Sequence, residues 1–219
     1  MVGRSKWGSW SFLLTVALLA ASCSSLPPVQ KVDLRSLGLD ALSVPAREDS
    51  TDLSALHLAV PPLHDQRARP WIGTWASTFG TETLLMAEGH NVGTMIAEVL
   101  IAQIKRQRGW NVWLSRPGVH PPHQGPDLIL SGTVQDCHVH VHPYQGGEMM
   151  DATVRLTLRL SPPGSHAAQV MTIDERESRS SSGFEVHDVE TELRTLIEAG
   201  MEKALAQMDL DASLRLTTP

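Results

Sequence analysis

From Asp151 to Leu160 the chain alternates strictly, with Ala152, Val154, Leu156, Leu158 and Leu160 set against Thr153, Arg155, Thr157 and Arg159. A period of two puts the first set on one face of a strand and the second on the other, so the sheet has one covered and one wet face. Pro162-Pro163-Gly164-Ser165 turns the chain into a further strand around residues 169–179. Residues 58–63 predict a first strand, and Pro61 and Pro62 make it either an edge strand or a short one. Trp110 to Leu114 predicts another short strand. Asp127 to Val141, after a Pro-rich loop at 117–126, predicts a long one that ends in a turn at 143–147.

Helical periodicity occurs twice. Val92, Met95, Ile96, Val99 and Leu100 form one stripe; Asn91 stands ready to cap it, Lys105, Arg106 and Arg108 fill its last turn, and Gly109 follows. The second stripe is Val189, Leu193, Leu196, Ile197, Met201, Ala204, Leu205 and Met208, with Asp188 as its cap. Strand, helix and strand in succession from residue 58 to residue 114 suggest a βαβ crossover. The expected fold is therefore α+β: a two-layer α/β sandwich of about five strands, mostly antiparallel with one βαβ crossover, and two helices on one face. Residues 71–89 are expected to be a Gly- and Thr-rich loop.

The first 55 residues belong to a different regime. Arg4 and Lys6 precede an apolar run of 12 residues, Trp10 to Ala21, and Cys23 closes it. A bilayer-spanning helix needs about 20 apolar residues, so this run is the core of a signal peptide. The order of basic, apolar and small residues before a cysteine resembles a bacterial lipoprotein signal, with Leu19-Ala20-Ala21-Ser22-Cys23 as its lipobox and Ala20 as its one departure. That resemblance implies cleavage before Cys23 and a diacylglycerol and an N-acyl chain on it. Ser24, rather than Asp, implies the outer membrane, periplasmic face, by the same resemblance. The domain organisation is then a signal peptide at 1–22, lipidated Cys23 and a flexible tether to residue 55, one α/β domain at 56–210, and a C-terminal tail at 211–219. A free tether of that length would let the body hang clear of the bilayer.

Composition narrows the chemistry. The 219 residues carry 18 Lys+Arg against 24 Asp+Glu, a net charge of -6; cleavage removes Arg4 and Lys6 and leaves 197 residues with a charge of -8. Such a balance offers no footprint for nucleic acid and little attraction to anionic lipid, so the acyl chains must supply attachment. Of the two cysteines one is the anchor, which leaves Cys137 without a disulfide partner in its own chain. The sequence lacks G-x-S-x-G, H-E-x-x-H, G-x-x-x-x-G-K-[ST] and C-x-x-C, and no constellation supplies a nucleophile, a base and an orienting group. An enzyme is not expected.

Two patterns remain as candidate sites. His138, His140 and His142 alternate with Cys137, Val139 and Val141, so the histidines share one face of a strand. They have the parity of Leu128, Leu130 and Val134 upstream, and a regular strand would carry them into the core. A bulge near Gln135-Asp136 would turn them outward and send Cys137, Val139 and Val141 in, which avoids burying three imidazoles. The outward face is either simply solvated or a zinc site, with His120, His123, Asp136 or Glu148 as a further ligand. Trp71, Trp75 and Phe79 either cover the end of a core or form an exposed aromatic patch for lipid or for a partner, an envelope protein in this setting.

The order of elements is similar to that of YajG-type bacterial lipoproteins, and more distantly to auxiliary lipoproteins of ABC-type transport systems. The likeness rests on Cys23, on Asp65-Gln66-Arg67 with Pro70 after the first strand, and on the helix running into Gly109-Trp110-Asn111-Val112. It also uses Gly125-Pro126-Asp127-Leu128 before the long strand and Met208-Asp209-Leu210-Asp211 at the close. The resemblance implies a membrane-anchored, non-enzymatic protein in envelope maintenance or transport. It lends no catalytic residues.

Overall fold

The computed structural model describes residues 26–32, 56–89, 91–116 and 125–207. Their elements are β1 (Val29–Val32), β2 (His57–Val60), β3 (His64–Asp65), β4 (Gly73–Ala76), β5 (Glu82–Ala87), α1 (Val92–Arg108), β6 (Asn111–Leu114), β7 (Leu128–Tyr144), β8 (Gly147–Ser161), β9 (Gln169–Ser181) and α2 (Val186–Gln207). The expected signal at 1–22, Cys23, most of the expected tether and the expected tail at 211–219 lie outside the described residues, as do His120, His123 and Met208.

The expected small sandwich of about five, mostly antiparallel strands is overturned. Among the described residues, nine strands form one mixed sheet, accompanied by two helices. Strand β7 is its spine. Along one edge it pairs antiparallel with β8 over its whole length, and β9 continues antiparallel beyond. Along the other edge β2, β3 and β4 dock one after another, all parallel to it. Strand β6 lies parallel beside β2, β5 antiparallel beside β4, and β1 parallel beside β5. The additional strands are short. Strands β4 and β5 fall in the span expected to be a loop, and β1 falls inside the expected tether. Elements of two to six residues contain too few periods to betray a sheet; pairing to distant chain is what holds them extended.

Elsewhere local signals and structure agree. The Asn91 side chain accepts a hydrogen bond from the Thr94 N–H at 3.0 Å, and α1 closes on a left-handed Gly109 whose N–H reaches the Lys105 carbonyl. Asp188 sits inside α2 rather than before it. Its carboxylate accepts the Glu185 N–H at 2.7 Å, which is the returning half of a capping box. The β7–β8 hairpin turns on two residues, Gln145 and Gly146, both with positive φ (41° and 86°). This is the turn geometry that matches strand twist, and the glycine adopts it without steric cost.

The break in parity on β7 is where the sequence placed it. The register shifts between Val134 and Asp136, and exposed Gln135 is the extra residue. Leu128, Leu130 and Val134 before the break, and Cys137, Val139 and Val141 after it, all lie in the core. They meet Val154, Leu156 and Leu160 of β8 and the stripes of both helices in one apolar cluster. The helices pack on one another, and α2 runs along β8 and β9. Among the described residues, no helix is long and apolar enough to cross a membrane.

Candidate functional site

Between two ladder hydrogen bonds, Gln66 N–H to the Val134 carbonyl and Val139 N–H to the Ile72 carbonyl, both at 2.9 Å, the chain from β3 to β4 arches away from β7. The β7 bulge lies in the same interval. Two interruptions side by side open a cleft of about 330 Å³. Arg67, Arg69 and Trp71 line it from the arch, Asp136, Cys137 and His138 from the bulge, and Thr153 from the facing position on β8.

Arg67 holds the arch. Its guanidinium donates to both Asp65 carboxylate oxygens at 2.9 Å and to the Trp71 carbonyl at 3.2 Å, and its side chain is only 6% exposed. Burial alone would raise the Asp65 carboxyl, but the hydrogen bonds from the Arg67 side chain and backbone and the nearby positive charge outweigh it and hold its pKa below the ordinary carboxylate value. This bidentate pair fixes the loop as much as it stabilises it. Next along, the Arg69 guanidinium lies 5.8 Å from the centre of the Trp71 ring, a cation–π contact.

Two side chains that line this cleft each bury a polar atom without a hydrogen-bond partner: the indole Nε1 of Trp71 and Nε2 of His138. Leaving a buried donor unsatisfied costs about 1–3 kcal/mol, and native structures seldom do so without reason. Burial pushes the His138 pKa below its ordinary value of 6.5; Asp136 opposes that shift, and Arg69 adds to it. The imidazole is therefore neutral at pH 7, able to donate or accept through Nε2. Because the folded state resists the proton, the unfolded chain binds it first as pH falls below 6.5, and stability declines there until the folded imidazole also titrates. We expect the denaturation midpoint to fall between pH 7 and pH 5 more steeply in the parent than in a His138→Gln variant. Parallel curves would contradict this assignment.

All three histidines share the open face of β7, but they serve different surroundings. His140 Nδ1 meets the Thr74 hydroxyl at 2.8 Å, and its ring stacks on His142 with centroids 4.9 Å apart. His142 Nδ1 lies 3.7 Å from Asp151, whose carboxylate accepts the Ser178 hydroxyl. Glu148 accepts from the Trp75 indole and the Phe184 N–H. Among the described residues, no three or more His, Cys, Asp or Glu side chains are grouped so as to hold a metal ion.

The aromatic trio is likewise dispersed. Trp71 lines the cleft, Trp75 is half-buried against the core, and Phe79 stands 94% exposed on the β4–β5 turn. Cys137 points into the core, where burial pushes its thiol up to about 12. His138, its neighbour, faces the other way, so no thiolate–imidazole pair forms. We expect no labelling of Cys137 by a thiol reagent within minutes in native buffer and full labelling in denaturant; equal rates would contradict its burial. Sequence reasoning missed Asp65, Arg67 and Arg69. The one signal present was a polar, Arg-rich stretch beside a predicted strand break.

No family model matches the sequence, and no curated protein matches it. Several solved structures have a similar chain path. A Xanthomonas campestris protein described with the family model DUF330 is 12% identical, with 81% of this chain and 92% of that chain covered and a TM-score of 0.47. A neuraminyllactose-binding hemagglutinin homolog from Helicobacter pylori is 9% identical, with coverage of 79% and 93% and a TM-score of 0.48. Lipoprotein GNA1162 from Neisseria meningitidis is 11% identical, with coverage of 70% and 99% and a TM-score of 0.37. None of these likenesses places the chain in a family or assigns a role to any of its residues.

Proposed function

We propose that this chain is a lipid-anchored protein of the bacterial envelope, attached through Cys23 to the periplasmic face of the outer membrane, and that it acts by binding rather than by catalysis. Arg4, Lys6, the apolar run and Cys23 support the anchor, and Ser24 supports the outer membrane. The observation that carries the binding role is a cleft lined by Trp71, His138 and Arg69, two of which, Trp71 and His138, each keep a buried polar atom without a hydrogen-bond partner. An indole donor, a neutral imidazole and a guanidinium suit a carboxylate or carbonyl presented by a partner protein.

The test is photo-crosslinking in intact envelopes from a crosslinker placed at Thr153, on the cleft wall. A single recurrent protein adduct, weakened at least tenfold by Trp71→Phe combined with Arg69→Ala, is the expected result. Adducts that are diffuse, or indifferent to both substitutions, would overturn the cleft as the binding site.

A further inference from the structure

The end of the sheet nearest Cys23 has a composition unlike the rest of the chain. Strand β4 runs parallel to β7, so the β4–β5 turn and the β7–β8 turn lie at the same end. Strand β1 starts there too, with Val29 beside Leu84. The close of β9 also arrives there, because Ser181 pairs with Glu148. The four segments meeting at this end are Leu26-Pro27-Pro28-Val29, Ser77-Thr78-Phe79-Gly80-Thr81, Tyr144-Gln145-Gly146-Gly147 and Ser181-Ser182-Gly183-Phe184. None contains an Asp, Glu, Lys or Arg, although exposed Glu82 and Glu185 and half-buried Glu148 follow directly on three of them.

Among the described residues, four of the five large exposed apolar side chains also gather here: Leu26, Val29, Phe79 and Tyr144. The fifth, Val170, pairs with Arg159 near the opposite end. Phe79 is held outward, not merely left loose. The Ser77 hydroxyl oxygen accepts the N–H groups of both Phe79 and Thr81 at 3.2 Å, and the Ser77 N–H reaches the Thr81 carbonyl at 2.8 Å.

We propose that this end is a membrane-docking surface, with Phe79, Tyr144 and Leu26 seated in the headgroup region of the bilayer that carries the anchor. The inference rests on Cys23 as the lipid attachment point. Only five residues lie between Cys23 and Val29, which β1 ties to the sheet, and the six chain steps extend at most about 20 Å. The expected free tether is thereby replaced by a short leash that brings this end, and no other, to the lipid surface. The exposed apolar tips, two of them aromatic, suit the interface of a zwitterionic bilayer, where aromatic rings with a polar edge reside, and exposed Glu82 and Glu185, which flank them, give no attraction to anionic lipid. The cleft lies at the other end of β4, away from this docking end.

The experiment uses the full chain extracted from membranes and reconstituted in phosphatidylcholine vesicles that carry doxyl-labelled lipid. A fluorophore is placed at Thr78→Cys, which leaves Phe79 intact, or at Val170→Cys; buried Cys137 stays silent. The mass of the N-terminal peptide is measured on the same preparation. We expect lipid-borne quenching at position 78 at least threefold stronger than at 170, reduced to near the level of 170 by adding Phe79→Ser. An unacylated Cys23 overturns both the anchor and the docking. An acylated Cys23 with equal quenching at 78 and 170 overturns docking alone, as does shielding of position 78 that requires added envelope protein or rises with the chain's own concentration.

Discussion

Deletion of Gln135 is expected to abolish the folded state. Gln135 is the extra residue of the β7 bulge, and without it a regular strand would carry Cys137, Val139 and Val141 to the open face and His138, His140 and His142 into the core. Exposing one buried valine costs about 1.5–3 kcal/mol. Burying an imidazole without partners adds about 1–3 kcal/mol for each ring. Those terms together match the whole stability of an ordinary domain, roughly 5–15 kcal/mol. Loss of the cooperative thermal transition, followed by circular dichroism, is the predicted result. Gln135→Ala keeps the bulge and removes only an exposed side chain, so it should melt like the parent. A deletion variant that also melts like the parent would show that the histidine face is not set by this residue.

Gly93→Ala is expected to destabilise by about 3 kcal/mol, at the upper end of overpacking costs. Gly93 lies in the first turn of α1, where its carbonyl accepts the Leu63 N–H at 3.2 Å. A Cβ there would come within 1.9 Å of the Leu63 carbonyl oxygen. The obstacle is backbone on both sides, so no rotamer change relieves it, and either the helix start or the β2–β3 junction must move. In a helix interior alanine would ordinarily gain about 1 kcal/mol over glycine; here the clash reverses the sign. Urea denaturation gives the difference directly, and a variant as stable as the parent would mean that the close approach is not real.

Legibility in the sequence followed the length of the element. Helix α1 was readable to the residue because stripe, Asn91 cap and Gly109 stop act locally, and β8 was readable because alternation ran through many periods. The bulge was readable from a conflict, since Leu128, Leu130 and Val134 have the parity of the histidines and something had to break it. Strands β1, β3, β4 and β5 were not readable. Each is short, and each exists because β7 or a neighbour offers it a ladder from far away in sequence.

The cleft was hidden for the same reason. Trp71 and His138 were singled out for separate roles, as an aromatic patch and a zinc face, and only the parallel docking of β3 and β4 against the bulge brings them into one wall. Trp71 and Phe79, grouped by nearness in sequence, are separated by the length of β4. The Asp65–Arg67 clamp gave no periodic signal at all, because it stabilises a loop rather than an element.

The proposed anchor at Cys23 underlies the docking proposal, for it would decide which end of the sheet faces lipid. Its most direct test is the intact mass of the chain extracted from its native membrane. A lipid anchor at Cys23 requires a polypeptide that begins there, 197 residues long, heavier than its sequence by a diacylglyceryl group and an acyl chain, with the excess confined to the first peptide. A chain that begins elsewhere, or that begins at Cys23 with the mass of its sequence alone, would contradict it.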